Sequence, residues 1–218
     1  MIRQRGAVLA TTLILTLLVL MLGVAAARAS SHAQKSARYE RDRQTAFAAA
    51  EAALADAERD IAGTNAGSPG RQSMFATAPL GFAARCGQGA DDLGLCLAKA
   101  APQAPDWQAV DLANDVTRTV AFGAYTGARM ATGAGPLSAR PPRYLIELIA
   151  PPASGPANGR FYRITAIGFG AREGMHVVLQ SCYHRVAGQG SPPGGEVPSG
   201  RISWREVPNW RELHRLTE

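Results

Sequence analysis

The residues that could do chemistry in this 218-residue chain are few and scattered. His32, His176, His184 and His214 are far apart in sequence, and only His176, Cys182 and His184 share strand parity. Three such residues on one strand face could ligate a metal. However, Cys182-x-His184 lacks four-ligand spacing, and no CxxC or HxxxH supports it. Ordinary strand residues are the expectation, with no metal. Glu51 and Glu58 stand a heptad apart on a helical stretch, which reads as a solvated or inter-subunit face rather than an acid/base pair. Gly168-Phe-Gly170-Ala-Arg-Glu-Gly174 misses the dinucleotide spacing and leads from strand to strand, not into a helix. There is no GK[ST] phosphate loop and no GxSxG elbow. No catalytic residue, cofactor or small-molecule substrate is therefore expected.

What must be positioned instead are surfaces. The formal charge of +6 comes from dispersed arginines, with Lys35 and Lys99 the only lysines. No dense basic run or aromatic-interleaved stripe supports nucleic-acid binding. Composition falls into two regimes: no proline in the first sixty residues, and all 14 prolines after them. A proline-free helical stretch followed by a strand-like body predicts a segregated α+β protein.

Ala7 to Ala27 carries no charge over 21 residues. As a helix it covers about 30 Å, the hydrocarbon thickness of a bilayer. Arg3 and Arg5 precede it, which leaves the N-terminus cytoplasmic and exports the rest. Three readings fit: a secretory signal cut at Ala25-Ala26-Ala27, an uncut anchor, or a cut after Gly6 that keeps the apolar run. The helical pattern continues beyond it. Tyr39, Phe47, Ala50, Leu54, Ala57 and Ile61 recur at helical steps, while Arg41, Arg43, Glu51 and Arg59 lie around the remaining circumference. Ser30 and Ser31 are the soft spot, and Gly63, Asn65 and Gly67 supply the stop. One helix from Ala7 to Ile61 would be about 80 Å long. It needs lipid for its first half and other helices beside its second.

Beyond the helix, four strands are expected: Thr117 to Tyr125, Arg143 to Ala150, Arg160 to Phe169 and Met175 to Arg185. In the third, Phe161, Arg163, Thr165, Ile167 and Phe169 alternate with Tyr162, Ile164 and Ala166, predicting one face on a helix and one partly wet. Gly168, Gly170 and Gly174 bracket a hairpin turn, and Pro151 to Gly159 reads as a surface loop. Phe47, Leu54 and Ile61 would provide the sheet's cover. In an oxidising compartment Cys86 and Cys96, with nine residues and among them three glycines between, close a small disulfide loop contributing roughly 2–4 kcal/mol. Cys182 is then a buried free thiol. After Arg185 a Gly/Pro/Ser linker leads to Trp204-Arg-Glu and Trp210-Arg-Glu. These tryptophans are either an interaction patch or pack back on the domain.

Arg3-Gln4-Arg5-Gly6 followed by an uncharged helix resembles the class III leader of type IV pilins and their secretion-system relatives. Asp42-Arg-Gln-Thr-Ala-Phe47-Ala-Ala-Ala-Glu51-Ala-Ala-Leu54 resembles the stalk of PilX-type minor pilins. Leu95-Cys96-Leu97, Trp107, Tyr144 to Leu148, Tyr162 to Gly170 and Val177 to Ser181 are similar to that family's globular domain. The resemblance implies cleavage by a prepilin peptidase between Gly6 and Ala7 and N-methylation of Ala7. Major pilins begin with Phe and carry Glu at the fifth mature position; here those places hold Ala7 and Thr11. Thr11 cannot neutralise a neighbour's amine, which suits a rare position at a tip or in an initiating complex.

The expected fold is thus a long transmembrane/stalk helix on a roughly four-stranded antiparallel sheet. Its segments are a leader (1–6), a transmembrane/filament-core half (7–27), a stalk half (28–62), a loop-rich αβ region (63–116), a sheet domain (117–186), and a linker and tail (187–218). The resemblance implies as partners other minor pilins, the major pilin, the inner-membrane assembly platform and prepilin peptidase, with a large tip adhesin as a further candidate. The implied location is the inner membrane before assembly and the filament afterwards, with roles in motility and adhesion. A type II secretion pseudopilin and a periplasmic binding module released by cleavage after Ala27 are the competing readings.

Overall fold

A computed structural model describes residues 5–63, 69–151, 159–172, 174–186 and 199–217, with side chains from residue 8 onward. Helix α1 runs Arg5–Ala62, and the chain divides into two compact units, Met1–Arg41 and Asp42–Glu218. Leader residues 1–4 and the side chains of Arg5 and Ala7 at the Gly6-Ala7 junction lie outside the described residues, as does the linker 187–198.

In the first unit α1 is helical throughout, and the apolar side chains from Val8 to Val24 are exposed. This is a helix long and apolar enough to cross a membrane. Its hydroxyls are satisfied internally: Thr11 Oγ1 donates to the Val8 carbonyl (2.9 Å), Thr12 to Leu9 (3.0 Å), and Thr16 to Thr12 (3.0 Å) and Leu13 (2.9 Å). Such back-bonding removes the cost of a bare hydroxyl in hydrocarbon. The Ser30-Ser31 soft spot stays helical, and there Ser31 Oγ donates to the Arg28 carbonyl at 2.8 Å.

In the second unit the remaining turns of α1 lie on a six-stranded sheet. The strands are β1 (Leu95–Leu97), β2 (Val120–Ala121), β3 (Arg143–Ile149), β4 (Arg160–Phe169), β5 (His176–Arg185) and β6 (Gly200–Glu206). Their order is β1-β3-β4-β5-β6, with β2 also pairing β3. All pairings are antiparallel except β1 with β3, which is parallel. Short helices α2 (Pro69–Ala76), α3 (Asp106–Ala109) and α4 (Trp210–Arg215) complete the fold. This is the expected α+β arrangement of a long helix on a mostly antiparallel sheet, with two more strands than predicted.

The differences have local causes. Thr117 to Tyr125 contributes only Val120 and Ala121 to the sheet. Asp115 gathers the Thr117 and Arg118 amides into a turn, and Gly123 at φ 79° ends the run. The tail is not a free appendage: β6 pairs with β5, and α4 follows it. The sheet face expected to be partly wet is dry at one end. Leu145, Ile167, Phe169 and Val178 form a second core with Trp107, Val207 and Trp210.

Gly168 sits inside β4, not in the hairpin turn, which closes instead through the Gly170 amide on the Met175 carbonyl at 2.9 Å. A Cβ at Gly168 would run into the Ala46 carbonyl oxygen and the Ala50 amide nitrogen of α1. Backbone cannot swing aside as a side chain can. Gly168→Ala should therefore destabilise the fold by about 3 kcal/mol, the upper end of the overpacking range. Denaturant unfolding of the full chain in detergent checks this; a loss under about 1 kcal/mol would mean that α1 lifts freely from the sheet.

Candidate assembly surfaces

The stalk contacts begin with alanine. Ala46, Ala50, Ala53 and Ala57 are completely buried with Leu54 and Ile61, so α1 approaches Tyr144, Ile146, Tyr162, Ile164, Ala166 and Leu179 closely. Phe47 is only partly buried at the edge of this core. Small side chains along this face bring the helix backbone down onto the strands, and Leu54 and Ile61 fill the remaining depth.

Three aspartates anchor the same helix, and nothing in the apolar pattern announced them. Asp42 accepts from the Ala171 amide (2.5 Å) and pairs with Arg172 (3.0 Å). Asp56, fully buried, accepts from the Gly123 amide (2.7 Å), pairs with Arg59 (3.2 Å) and bonds the Thr126 hydroxyl. Asp60 receives Arg71 Nη2 at 2.8 Å and Nε at 3.1 Å, and the Tyr144 hydroxyl at 3.3 Å. Burial pushes the Asp60 carboxyl up, against the Arg71 guanidinium and Tyr144 hydroxyl that pull it down. Aspartate is a poor helix former, so its recurrence in a strong helix was the available signal.

Glu51 and Glu58 do not form a free face. Both accept from Arg201 of β6, Glu51 at 3.2 Å and Glu58 at 2.6 Å. Arg43 and Glu206 pair at 2.7 Å farther along. Between these ion pairs the Trp204 ring lies 5.9 Å from Phe47, and Trp204 remains 46% exposed. The two tail tryptophans thus part company. Trp204 lines an open flank of the stalk, whereas Trp210 is buried, with Nε1 donating to the Trp107 carbonyl at 3.1 Å and its ring stacked on His214 at 5.3 Å.

Cys86 and Cys96 are joined by a disulfide, tying the loop before β1 to β1 itself. Cys182 is free and half-buried rather than fully buried; burial raises its thiol, opposed by Arg163. His176 packs edge-on against Trp210, and His184 stacks on Phe161. Eight residues of strand separate them, about 26 Å, so they do not meet.

Glu147 is a fourth buried carboxylate that patterning missed. It is fully buried on β3, opposite Arg163 of β4, whose Nε donates to it at 2.7 Å. Above it Asp106 opens α3 and pairs with Lys99 at 2.7 Å. Burial raises the Glu147 carboxyl and Asp106 adds to this, while Arg163 and the Trp107 amide oppose it. A carboxyl whose pKa is higher folded than unfolded takes up a proton on folding. Its contribution is therefore complete below the ordinary value of 4.5 and is lost as pH rises through the raised value. Stability should fall over that window in the native chain. In Glu147→Gln this component of the slope should vanish, as read from urea unfolding at a series of pH values. An unchanged slope would place the titration elsewhere.

The arrangement offers surfaces for assembly: an exposed apolar helix, a stalk fixed by buried aspartates, and an aromatic flank bounded by ion pairs. Among the described residues no group of three or more His, Cys, Asp or Glu is placed to hold a metal. Comparison with known families agrees with the assembly reading. The description PilX N-terminal matches residues 5–55, and Type IV pilus assembly protein PilX C-term matches residues 92–185. No curated protein and no solved structure matches the chain. The first family match covers the apolar run and most of the stalk; the second covers β1 through β5 and stops before β6. The chain belongs to the PilX family of type IV pilus assembly proteins.

Proposed function

We propose that this chain is a minor pilin that acts in pilus assembly or its initiation, at the tip or in a priming complex, supporting motility and adhesion. In this reading a prepilin peptidase cuts between Gly6 and Ala7, Ala7 is methylated, and the apolar half of α1 holds the subunit in the inner membrane with its C-terminal unit periplasmic. It then leaves lipid for a filament among other minor pilins, the major pilin and the assembly platform, beneath a large tip adhesin. Exchange of lipid for neighbouring helices keeps the apolar side chains out of water throughout.

The observation that supports a rare position is Thr11. Its hydroxyl donates to the Val8 carbonyl of its own helix at 2.9 Å and carries no charge. A neighbour's ammonium inside the apolar layer would find no carboxylate here, and an unpaired charge in that setting is costly. Such a subunit does not suit indefinite repetition.

Mass spectrometry of the mature protein tests the processing: a methylated Ala7 start is expected, and an Arg28 start would sink the reading. Quantitation of purified filaments tests the position. Shaft-like stoichiometry would overturn it, whereas a few copies per filament are expected. Loss of the gene should abolish twitching and leave exoprotein release intact; the reverse would favour a secretion pseudopilin.

A further inference from the structure

The sheet finishes its β1 and β6 edges differently. At β1 the preceding loop takes up the outer backbone groups: the Ala83 amide donates to the Leu95 carbonyl at 3.3 Å, and the Leu97 amide donates to the Ala83 carbonyl at 2.8 Å. At β6 one side pairs with β5, and no hydrogen bond reaches the outer backbone groups from any described residue. Side chains leave that edge open as well. Ile202, Ser203, Trp204 and Arg205 are exposed in succession, and successive strand residues face opposite sides, so both faces are accessible. Such an edge is a template for one more strand.

The two faces specify the occupant. On the α1 face the Trp204 ring lies 5.9 Å from Phe47 and the residue stays 46% exposed. A strand beside it would meet Trp204 with an apolar side chain, the kind of cross-strand pair that stabilises a sheet. On the opposite face Arg205 is held through Nε and Nη2 by the Gln180 amide oxygen, at 3.1 and 2.8 Å, and has no carboxylate partner among the described residues. Arg201 differs, being paired with Glu51 and Glu58. The complement of Arg205 is therefore an acid, one residue away from the apolar side chain. A second copy of β6 does not supply it. Its acid, Glu206, faces α1 and Arg43, and strands in one sheet keep their faces matched, so Glu206 cannot lie opposite Arg205. Residues 187–198 suit the ladder poorly too, since Pro192, Pro193 and Pro198 lack the amide donors it needs and glycines surround them. Ile202 is the extra residue of a bulge opposite Cys182 and Tyr183, which confines regular pairing to residues 203–206.

We propose that the outer edge of β6 accepts an extended segment of a partner protein that carries an acidic residue next to a β-branched or aromatic one. Backbone hydrogen bonds supply the ladder, Arg205 pairs with the acid, and Trp204 packs on its apolar neighbour. The bulge and the arginine together disfavour a long strand or one of the wrong charge. The second family match ends at residue 185, so this edge belongs to the part of the chain beyond it. The edge site goes beyond the minor-pilin reading and rests on the sheet's geometry alone.

The test is binding of a labelled, capped Thr-Val-Glu-Val-Thr peptide to the full chain in detergent at pH 7, read by fluorescence anisotropy and by hydrogen exchange. The peptide should bind and slow exchange of the amides in 200–206, leaving those of β3 unchanged. Its Gln analogue should bind about threefold more weakly, the worth of an exposed ion pair. An analogue N-methylated at every residue should not bind, because it has no donors for a ladder. Arg205→Glu should reverse the preference, taking a Lys analogue about threefold better than the Glu peptide. Trp204→Ala should weaken binding of every peptide. No binding, or slowed exchange elsewhere, would overturn the edge site. Equal binding of the N-methylated analogue would overturn strand addition. An unchanged preference in Arg205→Glu would overturn the acidic partner. Concentration-dependent dimers that protect 200–206 without peptide would make the occupant a second copy. Peptide binding gained only when 187–198 is replaced by a Gly/Ser linker of equal length would make the occupant the chain's own linker. Either result would overturn the partner.

Discussion

Asp60→Asn should cost about 3–5 kcal/mol of stability, the range for breaking a buried ion pair from one side. The reason is Arg71, whose side chain is only 1% exposed and cannot discharge by losing its proton. Its Nη1 is fixed by the Asp91 and Leu93 carbonyls at 3.0 and 2.8 Å, and its guanidinium lies 4.0 Å from the Tyr125 ring centroid. Those contacts hold the charge in place but do not neutralise it. With Asn at 60, Tyr144 also loses a carboxylate acceptor. The double variant Asp60→Leu with Arg71→Met removes the charge with its partner and should be milder than Asp60→Asn alone, because replacing a whole buried pair by apolar groups is often neutral. Equilibrium unfolding of the single and double variants in detergent decides it. If the double variant is the worse, the pair contributes more than its desolvation costs. The functional readout follows from position: Asp60 lies in the last turn of α1, and Arg71 joins that turn to α2 and the loop before β1. Loosening this joint should reduce incorporation of the subunit into filaments.

Trp210→Ala should cost a similar 3–5 kcal/mol, the range for truncating a buried tryptophan to alanine. The side chain is 3% exposed, bonds the Trp107 carbonyl, stacks on His214 and meets His176 edge-on at 6.0 Å. Its loss opens a cavity in the second core and releases α4, whose His214 Nδ1 otherwise sits 2.6 Å from the Gln108 carbonyl. Trypsin should then cut at Arg211 and Arg215 well before the rest of the domain opens. Trp204→Ala is the internal control. Almost half of that residue is exposed, so its truncation should cost under about 1 kcal/mol and leave the proteolysis pattern unchanged. If the two variants behave alike, the tail is not sealed by Trp210.

Read by itself, the sequence determined the long helix and three of the strands. Proline-free, alanine-rich residues with helical spacing have one good conformation, so α1 and its apolar half follow from local preference. The segment 160–169 coincides with β4, and the predicted neighbours overlap β3 and β5 almost end to end, because long β-branched and aromatic runs bounded by glycine and proline leave little choice. The Cys86–Cys96 pairing was legible because a short glycine-rich loop closes easily. The Ala50, Leu54 and Ile61 face was legible because burial repeats at the helical period.

Only the tertiary structure decided the rest, and the reason is the same each time: the partner lies far along the chain. β1 has three residues and β6 follows a linker, so neither carries enough local signal, and each exists by pairing with β3 or β5. Trp204 and Trp210 sit in identical Trp-Arg-Glu triplets, yet one lines the stalk flank and the other seals a core, since β6 ends between them. Asp42 and Asp56 look like solvated helix residues until Ala171 and Gly123 arrive from distant loops to satisfy them. Periodicity identifies the faces that leave water for apolar reasons. It cannot identify a charge that leaves water because a distant partner is waiting for it.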